Sequence, residues 1–287
     1  MPEEAKFKVQ SSMTAVVESA PNMPIECDYH MHTPLCKHAA GPMEAYVERA
    51  IELGLREIGF SDHCPLPNKL NPHVRMEEKE LDYYVGRVTD LQYEYRGKVD
   101  VRLGLEMDYL DGLEGYFEQL VRRHPWDYII GSIHHLDAEC RTHSWSRMLL
   151  NSPFEFYAQY FQQMRKLVGT GLYDIVAHLD LPKRSGLALN ADEEVARTLQ
   201  EIARANVCVE INSSGYRHPE LPNPEPYPGF PVIEQALALG IPLAVNSDAH
   251  APEQVGLEFP RIERWLRQKG CERLARFERR KRESYPL

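Results

Sequence analysis

The stretch Asp28-Tyr29-His30-Met31-His32 carries two histidines in the alternating pattern that is typical of a β-strand. Because residues i and i+2 of a strand point to the same face, His30 and His32 are expected to project together. Neutral imidazole is the commonest metal ligand among protein side chains. Such a pair also occurs by chance in many proteins, so the pair alone is weak evidence for a metal site.

Strand-like segments of this kind recur along the chain and alternate with segments of helical periodicity. The predicted strands cover residues 26–32, 57–63, 99–106, 127–134, 173–178, 207–212 and 241–248. The predicted helices cover residues 43–53, 77–95, 113–123, 152–168, 190–205 and 232–239, and a last helix is expected from about Arg261. Ser152 and Asn190 are expected to begin two of these helices. The basic cluster at 276–282 is interpreted as a solvated face of the last helix.

This alternation indicates parallel strands that are joined by helical crossovers and buried on both faces. A doubly wound open sheet is one alternative. Polar residues end nearly all the predicted strands, which favours a barrel, because an open sheet concentrates its site at one switch point. The 287 residues suit one large α/β barrel. We therefore expect a single barrel domain over residues 25–287, preceded by an N-terminal extension over residues 1–24.

The composition excludes several classes of function. Lys and Arg number 33 against 43 Asp and Glu, so the formal net charge is −10, which disfavours a wide nucleic-acid surface. No apolar run approaches the roughly 20 residues of a membrane-spanning helix, and residues 1–24 lack the apolar core of a signal peptide. Six cysteines without a C-x-x-C pair are interpreted as reduced thiols. These features predict a cytoplasmic protein without a membrane or nucleic-acid partner.

The ends of the predicted strands, with the first loop, supply a set of residues of metal-ligand type. They are His30, His32, His38, His63, Glu106, His134, His178, Asp248 and His250. Buried histidines that converge in this way would repel one another if protonated, and bound divalent cations remove that conflict. The set exceeds the needs of one tetrahedral ion, so two or three ions are expected, with Glu106 as a possible bridge.

The remaining histidines and the nearby cysteines receive a structural interpretation. His73, His124, His143 and His218 fall in predicted loops or at helix ends and are interpreted as ordinary surface histidines. His135 follows His134 and lies either in the pocket or outside it. Cys27, Cys36 and Cys64 lie close to the histidine clusters, where small buried packing residues are the favoured interpretation over metal ligands.

Taken together, the motifs resemble those of a known family. They are Asp28-x-His30-x-His32 with His38, Ser61-Asp62-His63, Gly104-Leu105-Glu106, Gly131-Ser132-Ile133-His134, His178-Leu179-Asp180 and Asn246-Ser247-Asp248-Ala249-His250. This set resembles the PHP (polymerase and histidinol phosphatase) superfamily, in the order and spacing of its histidinol-phosphatase branch. The resemblance covers about residues 25–257. Each motif is weak by itself, whereas the combination is highly specific.

The resemblance implies a distorted (β/α)7 barrel of TIM-like type that holds a trinuclear metal centre. It implies one ion held by His30, His32, Glu106 and Asp248. It further implies a second ion held by Glu106, His134 and His178, and a third held by His38, His63 and His250. Zinc, manganese and iron all occur in such sites, and mixed nitrogen and oxygen ligands do not choose between them.

The activity that the resemblance implies is hydrolysis of a small phosphate monoester, and the expected substrate is L-histidinol phosphate in histidine biosynthesis. A metal-bridging hydroxide, held by Glu106 and neighbouring ligands, would attack phosphorus. Arg184 and Arg217 stand where that branch places its phosphate-binding arginines, and His135 is a further candidate for substrate binding. The sequence identifies no general acid for the leaving group.

Two alternatives belong to other functional classes. A PHP-type phosphodiesterase or nuclease acting on nucleotides is disfavoured by the acidic composition and by the two arginines, which suit a monoester dianion. A non-catalytic metal-binding regulatory module is disfavoured by the complete set of ligand-type residues.

Overall fold

Seven parallel strands form one sheet in which the spatial order follows the order of the chain. They are β1 (Cys27–Asp28), β2 (Glu57–Phe60), β3 (Asp100–Asp108), β4 (Tyr128–Ser132), β5 (Ile175–Val176), β6 (Cys208–Asn212) and β7 (Leu243–Asn246). The computed structural model describes residues 25–144, 153–185, 191–218 and 224–287. The expected N-terminal extension and the expected helix starts at Ser152 and Asn190 lie outside these ranges.

The sheet curves until its first and last strands meet. The chain just after β1 pairs with the chain just after β7 through a parallel bridge between Met31 and Ala249. The His32 N–H donates to the Ala249 carbonyl at 2.9 Å, and the Ala249 N–H donates to the His30 carbonyl at 3.0 Å. The sheet is therefore a nearly closed barrel, and the predicted TIM-like α/β barrel is confirmed.

Helices follow the strands and cover the outside of the barrel. They are α1 (Met43–Leu53), α2 (Leu81–Glu94), α3 (Glu114–Arg123), α4 (Pro153–Gly169), α5 (Asp192–Ala205), α6 (Phe230–Ala238) and α7 (Phe259–Gln268). The sequence signals for α1 give its bounds correctly. Pro42 is the N-cap and Gly54 ends the helix at φ 78°, a left-handed conformation that glycine adopts without strain.

The interior of the barrel is filled by aromatic and aliphatic side chains, and all residues of β2, β4 and β6 are buried. The hydroxyl of Tyr128 donates to the Tyr29 carbonyl at 2.6 Å and to the Phe60 carbonyl at 3.1 Å. Its ring lies against Gly59 and Gly104, where a Cβ atom would overlap it. The two glycines are therefore needed for the close approach of the ring.

The predicted C-terminal helix is wrong beyond α7. Gly270 follows α7 at φ 76°, and two antiparallel strands come next, β8 (Arg273–Glu278) and β9 (Lys281–Pro286). Their turn residues, Arg279 and Arg280, have φ of 50° and 63°. Hairpin turns of this kind usually carry Asn or Gly, so two arginines gave no turn signal in the sequence. The basic cluster lies on this hairpin.

The hairpin packs against the end of the barrel at which the strands begin, and it binds residues there. Arg279 donates its N–H to Asp127 Oδ1 at 3.0 Å, just before β4. The Arg280 guanidinium pairs with Asp174, just before β5. The Tyr285 hydroxyl accepts the Glu26 N–H at 3.3 Å, just before β1. The hairpin thus joins the loops that enter three different strands.

Candidate metal centre

The ligand-type residues predicted from the sequence meet at the carboxyl ends of the strands, around the buried carboxylate of Glu106. Glu106 lies on β3 and is 1% exposed. Its Oε2 is 2.8 Å from His63 Nδ1. Its Oε1 is 3.2 Å from His178 Nε2 and 3.4 Å from His134 Nε2. Both oxygens of one carboxylate therefore face imidazole nitrogens from the segments that follow three different strands, β2, β4 and β5.

A second group of side chains lies on the β1 side of Glu106. His30 Nε2 is 3.4 Å from Glu106 Oε2 and 3.6 Å from Asp248 Oδ1. His32 Nε2 is 3.1 Å from Asp248 Oδ1 and 3.5 Å from Glu106 Oε2. As expected for alternate residues of a strand, both imidazoles project to the same side. Asp248 has φ of 53°, a sparsely populated conformation for a non-glycine residue that often marks a functional site.

A third group lies toward the mouth of the barrel. His38 Nε2 is 3.0 Å from His250 Nε2, and ligand atoms of His32, His63 and His250 lie within 4.8 Å of one another. Cys36, which is buried, also offers its sulfur within 4.8 Å of His38 and His250. All of the ligand-type residues predicted from the sequence therefore belong to one continuous cluster.

Hydrogen bonds on the far side of the rings orient three of these imidazoles. The Nδ1 atoms of His30 and His134 each lie 2.7 Å from a carboxylate oxygen, of Glu210 and Asp108 respectively. His38 Nδ1 lies 2.7 Å from the Cys36 carbonyl. With Nδ1 occupied by an acceptor, the lone pair is left on Nε2, the atom that faces the cluster. The rings are therefore held in the tautomer that binds a metal.

The electrostatic environment also favours cation binding. Burial lowers the pKa of His63 to about 4, although the nearby Glu106 carboxylate acts to raise it. Burial and the neighbouring His32 lower the pKa of His250 to about 2. Both rings are neutral at physiological pH and can donate a lone pair. Despite burial, the surrounding imidazoles hold the pKa of Glu106 well below its ordinary value. Despite burial, neighbouring carboxylates hold the pKa of His30 and of His32 above the ordinary value, and a bound divalent cation would take the place of those protons.

Several buried polar atoms in the cluster have no hydrogen-bond partner among the described residues. They include the Nε2 atoms of His30 and His32. An unsatisfied buried polar atom is costly, and a bound cation removes that cost for each of them at once. The residues present therefore fit divalent metal ions.

A cavity of about 260 Å³ opens above the cluster. Its lining includes His135, which resolves the choice left open by the sequence: His135 lies in the pocket and is 3% exposed. Its Nε2 is 3.2 Å from the Asn71 side-chain amide nitrogen. His143 and His218 also line the cavity. His143 is exposed and His218 is half-buried, so both lie at the surface as expected, on the rim of this cavity.

The two arginines predicted to bind phosphate occupy different places. Arg184 lines the cavity. Arg217 is not among the described lining residues, and its guanidinium donates to the Ser247 carbonyl at 2.9 Å and to the Asp248 carbonyl at 2.7 Å. Arg217 therefore holds the turn that carries Asp248.

Sequence reasoning missed residues that support the cluster from behind. Glu210 and Asp108 orient ligand-type histidines, and Arg75 forms an ion pair with Asp108 at 2.8 Å. Two signals were available in the sequence. Asp108 lies two residues after Glu106, on the same face of one strand. Glu210 is an acidic residue within an otherwise apolar predicted strand.

The fold and the cluster together define a class: an α/β-barrel hydrolase with a divalent-metal site at the carboxyl ends of its strands. The chain belongs to the PHP domain family, whose sequence model matches residues 28–214, and within that family to the histidinol-phosphatase branch. The family expected from the motifs is thereby confirmed.

The comparisons with individual proteins agree with this assignment. A Deinococcus radiodurans protein named a probable histidinol-phosphatase is 35% identical over 240 residues, which cover 81% of this chain and 89% of the relative. The histidinol-phosphatase of Bacillus subtilis is 26% identical, with 81% and 96% covered. A crystal structure of Lactococcus lactis histidinol phosphate phosphatase, complexed with zinc, L-histidinol and phosphate, matches with a TM-score of 0.77 and 21% identity. It covers 90% of this chain and 99% of that one, and shows the shared fold.

Within the described residues, no helix is both long and apolar enough to cross a membrane.

Proposed function

We propose that this protein hydrolyses L-histidinol phosphate to L-histidinol and phosphate in a reaction that depends on divalent metal ions. The observation that carries the proposal is the cluster of imidazoles and carboxylates with unsatisfied buried atoms, directly beneath a cavity lined by Arg184. The names of the relatives and the ligands in the Lactococcus lactis structure support the choice of substrate.

The proposed metal centre would be trinuclear, and Glu106 would be a ligand to two of the ions. His30, His32 and Asp248 would complete the first site. His134 and His178 would complete the second, and His38, His63 and His250 the third. Bound divalent ions would supply Lewis-acid activation of water and neutralise the charge that develops on the phosphoryl oxygens. Zinc is the ion in the Lactococcus lactis structure, and manganese and iron remain chemically compatible with these ligands.

Roles for the other cavity residues follow from their positions. Arg184 would bind the phosphate dianion, because a planar guanidinium matches two phosphate oxygens. His135 would contact the leaving group, because it lies in the cavity wall and belongs to none of the predicted metal sites. Its ring is oriented by Asn71. Arg217 would act on the reaction through Asp248. The small cavity suits a small monoester better than a polymer.

A single barrel domain over residues 25–287 and an N-terminal extension over residues 1–24 are part of the same proposal. Cytoplasmic location and a place in histidine biosynthesis remain predictions from the sequence.

The test is phosphate release from L-histidinol phosphate, from other monoesters and from a chromogenic diester, with elemental analysis of the same preparation. We expect two to three divalent ions per chain, preference for L-histidinol phosphate, and loss of turnover in chelator that returns on adding metal. Full activity in chelator, or a preference for the diester, would reject the proposal.

A further inference from the structure

A buried arginine that the proposed chemistry does not use lies between the metal cluster and the cavity wall. Arg75 is 2% exposed and lines the cavity. Its Nη1 lies 2.8 Å from Asp108 Oδ2. The other oxygen of Asp108 lies 2.7 Å from His134 Nδ1, and His134 Nε2 lies 3.4 Å from Glu106. A chain of contacts therefore runs from the Arg75 guanidinium through Asp108 and His134 to Glu106 in the metal cluster.

The charge of Arg75 has a specific task in this series. Asp108 is 1% exposed, and a buried carboxylate without a cationic partner is strongly unfavourable. Paired with Arg75, the Asp108 carboxylate is held in place to accept a hydrogen bond from His134 Nδ1, which leaves the lone pair on Nε2. Without the guanidinium, the Asp108 carboxyl group would lose its partner and reorient, and the His134 ring would lose its fixed direction.

The same guanidinium also holds the segment that forms one wall of the cavity, residues 64–76, which we call the wall loop. Arg75 Nη1 donates to the Cys64 carbonyl at 3.0 Å, and Nε donates to the Asn71 carbonyl at 3.3 Å. Asn71 in turn contacts His135 in the cavity. Asn71 has φ of 46°, so its backbone conformation requires support from its surroundings.

We propose that Arg75 is a positioning residue that joins the wall loop and the ligand His134 into one unit. Replacing Arg75 would therefore disturb both the second metal site and the wall loop, which contacts His135. The inference rests on the proposed metal role of His134, and it concerns metal affinity and loop order in addition to turnover.

The experiment compares Arg75→Lys, Arg75→Met and Asp108→Asn with the control Arg123→Met. Arg123 is half-exposed and pairs with Glu78 and Asp82 on the surface. Each protein is loaded with Co²⁺ and titrated with a chelator while its visible spectrum is recorded. We expect the affinity for one of the bound Co²⁺ ions to be about 10- to 100-fold lower in R75M and D108N. This is the usual effect of removing a residue that hydrogen-bonds to a metal ligand. R123M should match wild type.

Two further measurements separate positioning from general damage. R75K should recover little affinity, because an ammonium cannot span Asp108 and two carbonyls as the planar fork does. The double variant R75M/D108N should bind Co²⁺ no more weakly than R75M does, because Arg75 acts on His134 through Asp108. Trypsin should cleave after the exposed Lys69 of the wall loop faster in R75M and R75K than in R123M.

The outcomes are distinguishable. Wild-type cobalt affinity and wild-type cleavage in both R75K and R75M would overturn the inference. If R75M fails to fold, R75K and D108N decide by the same measurements. The readouts do not involve phosphate hydrolysis, so a wild-type protein that binds metal without hydrolysing L-histidinol phosphate would reject the proposed function and leave this inference standing.

Discussion

The carboxylate of Glu210 on β6 lies 2.7 Å from His30 Nδ1 at the end of β1, across the interior of the barrel. Its two oxygens also accept hydrogen bonds from the side-chain amides of Asn246 and Asn212, both at 2.9 Å. All the neighbours of Glu210 in this contact set are donors. A carboxylate, which only accepts, is therefore the side chain that this position requires.

Replacing Glu210 should weaken metal binding without touching a proposed ligand. In Glu210→Gln one oxygen becomes an NH2 group that faces a donor, and the remaining amide oxygen is a weaker acceptor for His30 Nδ1 than a carboxylate is. We expect metal affinity to fall about 10- to 100-fold, measured as metal retained after dialysis against graded chelator. The control is Glu52→Gln on the exposed face of α1. Equal retention in both variants would contradict the orienting role.

Replacing Glu106 should have a larger effect. Glu106→Gln keeps the size of the side chain but removes its charge and one strong ligand oxygen. We expect metal loss and a fall in turnover beyond the roughly 10- to 100-fold typical of outer partners, with the fold retained because the core below is unchanged. Elemental analysis, turnover and circular dichroism check this. Wild-type turnover in the variant would make Glu106 a structural residue.

The two arginines should respond differently to substitution. Arg184→Ala should lower kcat/KM for L-histidinol phosphate by roughly 30- to 1,000-fold, or about 2–4 kcal/mol, through loss of a charge-assisted contact. Its metal content should not change, and Arg184→Lys should rescue poorly.

Arg217→Ala should lower metal content as well as kcat/KM, because Arg217 holds the carbonyls of Ser247 and Asp248. Steady-state kinetics and elemental analysis on the same preparations check both variants. A wild-type metal content in R217A, with kcat/KM reduced as in R184A, would instead place Arg217 on the substrate phosphate.

The pairing of Arg280 with Asp174 makes a prediction about pH. Burial raises the pKa of Asp174 above its ordinary value, and Arg280 opposes that effect. A carboxyl group whose pKa is higher in the folded state costs stability as pH rises from the unfolded to the folded pKa. Arg280→Met raises the folded pKa further. Near neutral pH the R280M variant should lose unfolding free energy on the order of 1–3 kcal/mol relative to wild type. This loss should become smaller as pH falls toward about 4, because Asp174 then becomes protonated in both proteins.

Denaturant unfolding of wild type and R280M across that pH range is the measurement. Arg273→Met is the control, because Arg273 on the same hairpin bonds to Ser284, an uncharged residue. Its effect should not depend on pH. A loss of stability in R280M that is equal at both ends of the range would mean that Asp174 is not the group involved.

The sequence predicted the barrel and the cluster well because both depend on local patterns. Alternation within a strand places His30 and His32 on one face, and parallel strands bring their carboxyl ends to one mouth. The orienting partners depend on contacts that no local pattern encodes. Glu210 and His30 are 180 positions apart, and the direction of Arg217 is decided by the fold of the turn after β7. The hairpin escaped prediction because its turn carries arginines.

The C-terminal hairpin has a consequence for how the molecule is made. Its residues tie down the loops before β1, β4 and β5, and Tyr285 reaches the chain just ahead of β1. During synthesis the seven strands of the barrel leave the ribosome before the hairpin does, so these three loops lack their hairpin contacts until the hairpin has been made. The order of synthesis therefore places the stabilisation of this end of the barrel after the synthesis of all seven strands.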